Sequence, residues 1–229
     1  MKIFLDTANI DEIRKAADLG LVDGVTTNPS LIAKEGKNFK ERIKEICAVV
    51  KGDVSAETIS TDWEGMVREG RELRTWADNV VVKAPCTPDG LRATKILSDE
   101  GIKVNVTLIF SATQGMLAAK NGAYIISPFI GRLDDLGLDG MQLIKDLVQI
   151  IHNYDFKTQI LTASIRTPNH VIEAAKAGSH IGTMPSVVFH MLYKHVLTDI
   201  GMTRFLSDWK TLPNYEEAIF PKDAIVPRG

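Results

Sequence analysis

Residues 79–89 read Asn79-Val80-Val81-Val82-Lys83-Ala84-Pro85-Cys86-Thr87-Pro88-Asp89. A valine run stopped by a proline predicts a short strand, and Thr87-Pro88-Asp89 then opens a helix with a hydroxyl cap and a proline in its first turn. Strand feeding helix is one βα unit. Lys83 is its odd member, because a lysine following three valines on a strand is a poor packing residue.

Outward from this unit the same grammar repeats. Toward the N-terminus, KIFLD (2–6) predicts the first strand, with a helix from Ile10 to Leu19 started near Asn9 or Asp11. GVTTN (24–28) predicts the second strand and VSAET (54–58) the third, followed by a polar-faced helical stretch from Asp62 to Trp76. Toward the C-terminus, KVNVTLIF (103–110), AYIISPF (123–129), TQILTAS (158–164) and HIGTMP (180–185) predict the fifth to eighth strands. Helices from Ser111 to Lys120 and from about Gly140 to His152 lie between them. Strands alternating with helices argue for a parallel sheet covered by helices. Eight units with no reversal point, and no Gly-x-Gly-x-x-Gly after the first strand, favour a single (β/α)8 TIM barrel over a doubly wound open sheet.

The chain is expected to be one domain over 1–229, with residues 197–229 as an additional C-terminal helix (Thr198 to Trp209) and a turn-rich tail from Asn214 onward. Its 229 residues lie near the ~250 typical of such a barrel. With 45% hydrophobic residues, 24% charged residues and a net charge of −2, there is material for a full core and no basic footprint for nucleic acid. Partners are expected to be small molecules or copies of the chain. No signal-like or membrane-length apolar run occurs, so a cytoplasmic setting is expected. Cys47 and Cys86 offer no disulfide framework, and His152, His170, His180, His190 and His195 show no metal-ligand spacing. His190 and His195 read as helix-surface or subunit-contact residues; Met184, Met191 and Met202 read as core or interface filling.

Chemistry gathers at the carboxyl ends of the strands, the face where barrel active sites are built. Residues two apart on a strand share a face, so Phe4 with Asp6, Ser55 with Glu57, Val81 with Lys83, Asn105 with Thr107, and Thr162 with Ser164 are expected to point inward. Inside the mouth, burial would lower the pKa of Lys83 and expose a neutral amine able to attack a carbonyl. The competing reading is a lysine that snorkels to solvent. Asp6 and Glu57 are placed to move protons beside it, against the plainer reading of salt-bridge partners or caps. Arg132, Ser164 and Arg166 follow the sixth and seventh strands and could converge on a phosphate; alternatively Arg132 pairs on the surface with Asp134 or Asp135.

FLDTA at 4–8, GVTTNPS at 24–30, VVVK at 80–83, VNVTLIF at 104–110, SPFIGRLDD at 127–135 and ASIR at 163–166 together resemble the transaldolase family, in its short bacterial and archaeal branch. The resemblance runs from Met1 to about Trp209. It implies a metal-free, cofactor-free class I enzyme of the pentose phosphate pathway, moving a dihydroxyacetone unit from a ketose phosphate to an aldose phosphate. Lys83 would be the Schiff-base lysine and Asp6 the acid/base on the donor's C4 hydroxyl, while Glu57, Thr107 and a water would relay protons. Asn28, Asn105 and Ser127 would hold donor hydroxyls and the amine with Thr26 beside them, and Arg132, Ser164 and Arg166 the phosphate. The resemblance further implies a homo-oligomer, a pentamer or decamer, with the C-terminal helix reaching a neighbour.

Related fructose-6-phosphate aldolases release free dihydroxyacetone. They resemble one another in carrying Gln where this chain has Glu57 and Tyr where it has Phe129, and both differences, with Asn105, favour transfer here. A catalytically silent phosphosugar-binding barrel is the alternative of another class. Ala84, Cys86, Ser186 and Val196 depart from the residues usual in the family.

Overall fold

The computed structural model describes residues 1–213, 215, 216 and 219. Eight strands, β1 (Lys2–Asp6), β2 (Gly24–Thr26), β3 (Val54–Glu57), β4 (Val80–Pro85), β5 (Val104–Ile109), β6 (Ile125–Pro128), β7 (Gln159–Thr162) and β8 (Ile181–Met184), pair in parallel and in chain order. β8 closes on β1, so the sheet is the expected barrel. Closure leaves no strand edge unpaired.

The helices are α1 (Ile10–Ala17), α2 (Pro29–Glu35), α3 (Phe39–Val49), α4 (Trp63–Arg74), α5 (Pro88–Asp99), α6 (Ala112–Lys120), α7 (Ile130–Asp134), α8 (Gly140–Asn153), α9 (Pro168–Ala177), α10 (Ser186–Met191) and α11 (Val196–Trp209). Many begin where a side-chain oxygen takes up free N–H groups: Asn9 caps α1, Thr87 caps α5 and Ser111 caps α6. Between β2 and β3 the chain makes α2 and α3, which the strand reading passed over. β2 stops at Thr26, earlier than GVTTN suggested, because Asn28 turns to cap α2 by accepting the Leu31 N–H at 3.0 Å.

Two apolar layers follow from the period of two. Outward residues such as Val80, Val82 and Ala84 of β4 join Leu97 of α5 and Leu147 of α8 in the layer under the helices. Inward residues Phe4, Ile125, Leu161, Ala163 and Ile181 form a separate plug inside the barrel. A strand buried on both faces needs a continuous apolar run, which is why β4 does not alternate. The plug is tightly fitted: a Cβ on Gly24 would lie 2.4 Å from the Phe4 ring. Truncating the fully buried Phe4 would cost about 3–5 kcal/mol.

The chain divides into two compact units, Met1–Met191 and Leu192–Gly229. The first contains the whole barrel. In the second, α11 starts from a His195 cap and has no buried residue, and Val196 is exposed on it. Met184 is core, whereas Met191 and Met202 are exposed. The tail expected from Asn214 onward lies almost entirely outside the described residues. Both cysteines are free thiols; burial pushes Cys47 up to about 12 and raises Cys86. No helix among the described residues is long and apolar enough to cross a membrane.

Candidate active site

Strand register brings the polar ends together. Asp6 lies beside Thr26, which lies beside Ser55, while Glu57, Lys83 and Asn105 lie side by side on β3, β4 and β5. Their inward side chains are therefore neighbours by construction, although they are far apart in sequence.

Lys83 does not snorkel. Its side chain is 7% exposed, and its Nζ sits 3.0 Å from Glu57 Oε2 while donating to the Thr27 carbonyl oxygen at 3.1 Å. The amine is thus held by a carboxylate as well as by burial, the pairing that the plainer reading of Glu57 allowed for. Breaking such a pair from one side leaves a charge without compensation.

A cavity of about 150 Å³ opens above this tier, lined by Asp6, Thr26, Asn28, Lys83, Thr107, Ser127, Phe129, Arg132, Leu161, Ala163, Ser164 and Thr183. Burial raises the Asp6 carboxyl above its ordinary value, against the opposing pull of the Lys83 charge and a hydrogen bond from Thr26. That bond runs from Thr26 Oγ1 to Asp6 Oδ1 at 2.8 Å. Thr107 Oγ1 is buried and has no hydrogen-bond partner among the described residues, so its hydroxyl is available to whatever fills the cavity.

Not every expected residue lines the space. Asn105 is fully buried beneath it, donating from Nδ2 to Ser55 Oγ at 3.1 Å and accepting from Ser127 Oγ at 2.7 Å. Ser127 reaches the cavity above it. Glu57 touches the site through Lys83, and Asn28 serves both as a cap and as a wall.

β7 corrects the expected face assignment. Leu161 and Ala163 point inward, and Thr162 instead points outward, its hydroxyl donating to Ser179 Oγ at 2.8 Å. Ser164 still reaches the cavity because its backbone turns to φ 60, in the left-handed region. Such a conformation costs energy for a residue other than glycine and recurs at functional sites. The turn packs against Gly131, where a Cβ would lie 2.3 Å from the Ser164 carbonyl oxygen. Gly131 therefore lets α7 approach the loop after β7.

The two arginines behave differently. Arg132 lines the cavity, its guanidinium 5.5 Å from the centre of the Phe129 ring, and makes no ion pair among the described residues. Surface pairing falls to Arg166, whose two terminal nitrogens each lie 2.6 Å from an Asp135 oxygen. Asp134 is occupied by the Gly140 N–H and by His170 Nε2 at 3.3 Å. Of the residues departing from family habit, Ala84 is buried and the Cys86 thiol donates to the Gln114 carbonyl oxygen at 3.8 Å. Ser186 donates to Glu12 at 2.6 Å.

Sequence reasoning missed Thr183, Leu161, Ala163 and the Thr27 carbonyl. The alternation of Ile181 with Thr183 was the available signal for the first of these. Among the described residues no three His, Cys, Asp or Glu side chains gather to hold a metal ion.

A buried lysine on a carboxylate, a second carboxylate in the same small polar cavity and an arginine with no ion pair among the described residues form a compact set for carbonyl chemistry on an anionic substrate. The family model described as transaldolase/fructose-6-phosphate aldolase matches residues 3–222. A probable transaldolase of Caldicellulosiruptor saccharolyticus is 59% identical over 214 residues, 93% of this chain and 99% of the relative. Probable transaldolases of Thermoanaerobacter sp. (strain X514) and Anaeromyxobacter sp. (strain K) are 58% and 57% identical, covering 92% and 93% of this chain and 97% and 98% of the relatives. With nearly the whole barrel matched at this level, the chain belongs to the transaldolase/fructose-6-phosphate aldolase family.

Proposed function

We propose that the protein is a transaldolase that carries a dihydroxyacetone unit from fructose 6-phosphate or sedoheptulose 7-phosphate to an aldose phosphate through a Schiff base on Lys83. The observation that carries this reading is the Lys83 amine itself: buried, bordering the cavity, and 3.0 Å from a carboxylate able to take its proton. Attack on a ketone requires the free amine, and Glu57 is the adjacent acceptor. Addition gives a carbinolamine, and loss of water from it gives the imine. The unpartnered Thr107 hydroxyl supports a role in placing that water.

The protonated imine then serves as the electron sink. Asp6 accepts the C4 hydroxyl proton, the C3–C4 bond breaks, and the aldose phosphate leaves while the three-carbon enamine stays on Lys83. A carboxylate whose proton affinity burial has raised is the better base for this step. The enamine attacks the carbonyl of a second aldose phosphate, and hydrolysis of the new imine frees the product and the lysine. Arg132 and Ser164 would hold the phosphate, with Arg166 joining only by leaving Asp135. Phe129 presents a hydrocarbon ring and no hydroxyl to position a water, which supports transfer over release of the three-carbon unit. The setting we infer is the cytoplasmic pentose phosphate pathway, with a homo-oligomer as the working form.

Borohydride added with saturating fructose 6-phosphate should leave a covalent mass on Lys83, located by peptide mass spectrometry. An unmodified Lys83 would end the proposal. Free dihydroxyacetone in place of transfer to erythrose 4-phosphate would assign the aldolase activity instead, and binding without turnover a silent phosphosugar-binding barrel.

A further inference from the structure

Thr183 is a cavity-lining polar side chain that the reaction above leaves without a task. It lies on β8 beside Phe4 of β1, points inward like Ile181, and is 3% exposed. A buried, β-branched position on a barrel strand is one that valine would fill at no polar cost. The threonine hydroxyl lies 2.7 Å from Thr26 Oγ1. Thr26 has one hydroxyl hydrogen, and its 2.8 Å contact with Asp6 Oδ1 uses it whenever Asp6 is ionised. The hydrogen between the two threonines must then come from Thr183. The result is a directed chain, Thr183 to Thr26 to Asp6.

We propose that Thr183 is a positioning residue for carbon–carbon cleavage: by donating to Thr26 it fixes and polarises the Thr26 hydroxyl, which in turn holds Asp6 as the proton-accepting carboxylate. The inference rests on the reading of Asp6 as the base. Successive hydrogen bonds strengthen one another, so loss of the outer donor weakens the inner bond without removing it. The charged groups around Asp6 are Lys83 of β4 and Arg132 of α7, which share its cavity, and Glu57 of β3, bound to Lys83. Glu12 of α1 is taken up by Thr7 and Ser186. Thr183→Val leaves all four in place.

The test is the pH profile of kcat/KM for donor cleavage in the wild-type protein, Thr183→Val and Thr183→Ser, with borohydride trapping on Lys83 in each. For Thr183→Val the acid limb should move to higher pH, so that activity below the limb falls about threefold more than on the plateau. Trapping should persist, and Thr183→Ser should restore the wild-type profile. A Thr183→Val profile that superimposes on wild type after scaling, or a Thr183→Ser profile that moves with it, would overturn the inference. If the valine variant does not fold, Thr183→Ala is read by the same criteria. Lack of trapping in the wild-type protein would instead overturn the Schiff-base reading, and this inference with it.

Discussion

Replacing Lys83 by Met and Glu57 by Gln, singly and together, tests whether the pair at the centre of the site is one electrostatic unit. At 3.0 Å and an effective dielectric of about 20, the attraction between the two charges is roughly 5–6 kcal/mol. Desolvating two ions at side-chain exposures of 7% and 16% costs several kcal/mol each, so the intact pair contributes a net value near zero. Single removals are unequal to that sum, because each strands a buried charge. Either single substitution should cost about 3 kcal/mol, some 6–12 °C in melting temperature for a chain of this length. The double variant should return to within about 1 kcal/mol of wild type, since two neutral side chains of similar volume replace two ions.

The corresponding coupling energy is about 5–7 kcal/mol, to be measured by urea unfolding at neutral pH across the four proteins. Coupling below about 1 kcal/mol would refute the reasoning, for it would mean that the carboxylate does not hold the amine in solution. Activity should separate from stability in the same set. The double variant should regain its fold and, on the proposed role of Lys83 as the nucleophile, show no turnover.

Arg132→Ala should raise KM for phosphorylated donors about 10–100-fold, the loss of one charge-assisted contact, and leave unphosphorylated dihydroxyacetone donors nearly unchanged. Arg166→Ala should do less than a tenth of this, because Asp135 already holds that guanidinium; equal effects would refute the distinction. Phe129→Tyr should increase the share of free dihydroxyacetone about fivefold in a product assay, the equivalent of one hydrogen bond to water. Asp6→Asn should be more stable than wild type at neutral pH. Its carboxyl has a folded-state pKa above the unfolded one, so the stability from its protonated form is present at low pH and lost as pH rises through the folded value. The advantage should vanish below about pH 4, and an Asp6→Asn protein less stable than wild type at pH 7 would contradict it.

The barrel was legible because each unit carries its own punctuation. Asn9, Thr87 and Ser111 mark helix starts by their own oxygen atoms, within a few residues of the strand ends they follow. What escaped depends on tertiary register. Alternation counted from TQILTAS put Thr162 inward, yet closure places Leu161 and Ala163 there and recovers Ser164 only through a left-handed turn. On β5, a register shift between Val106 and Ile109 gives Leu108 a φ of 58, a bulge that no local pattern announces. Partners were less legible: Glu57 was offered beside Lys83 only as one of two readings, 26 positions away, and the surface pairing offered for Arg132 belongs to Arg166, 31 positions from Asp135. Residue type and strand position located the charged groups, but only the folded barrel decided which of them neutralise one another.

That neutralisation separates the two acids. In-register pairing of β3 with β4 sets Glu57 against Lys83, so the proton within its reach is the one on the amine. Asp6 lies on β1 beside Thr26, with a hydroxyl donor on one oxygen and the cavity before it, which in the proposed reaction is the side from which a substrate hydroxyl would offer its proton. The side-chain lengths of the two acids belong to the same division: misplacing a proton acceptor by about 1 Å costs about 100-fold in rate, which is less than the shift produced by adding or removing one methylene. An aspartate at 57 would draw its carboxylate back from the lysine nitrogen, and a glutamate at 6 would push its own into the space the substrate needs. On this reading the order of acids around the mouth, Asp on β1 and Glu on β3, is as much a requirement of the reaction as the lysine between β3 and β5.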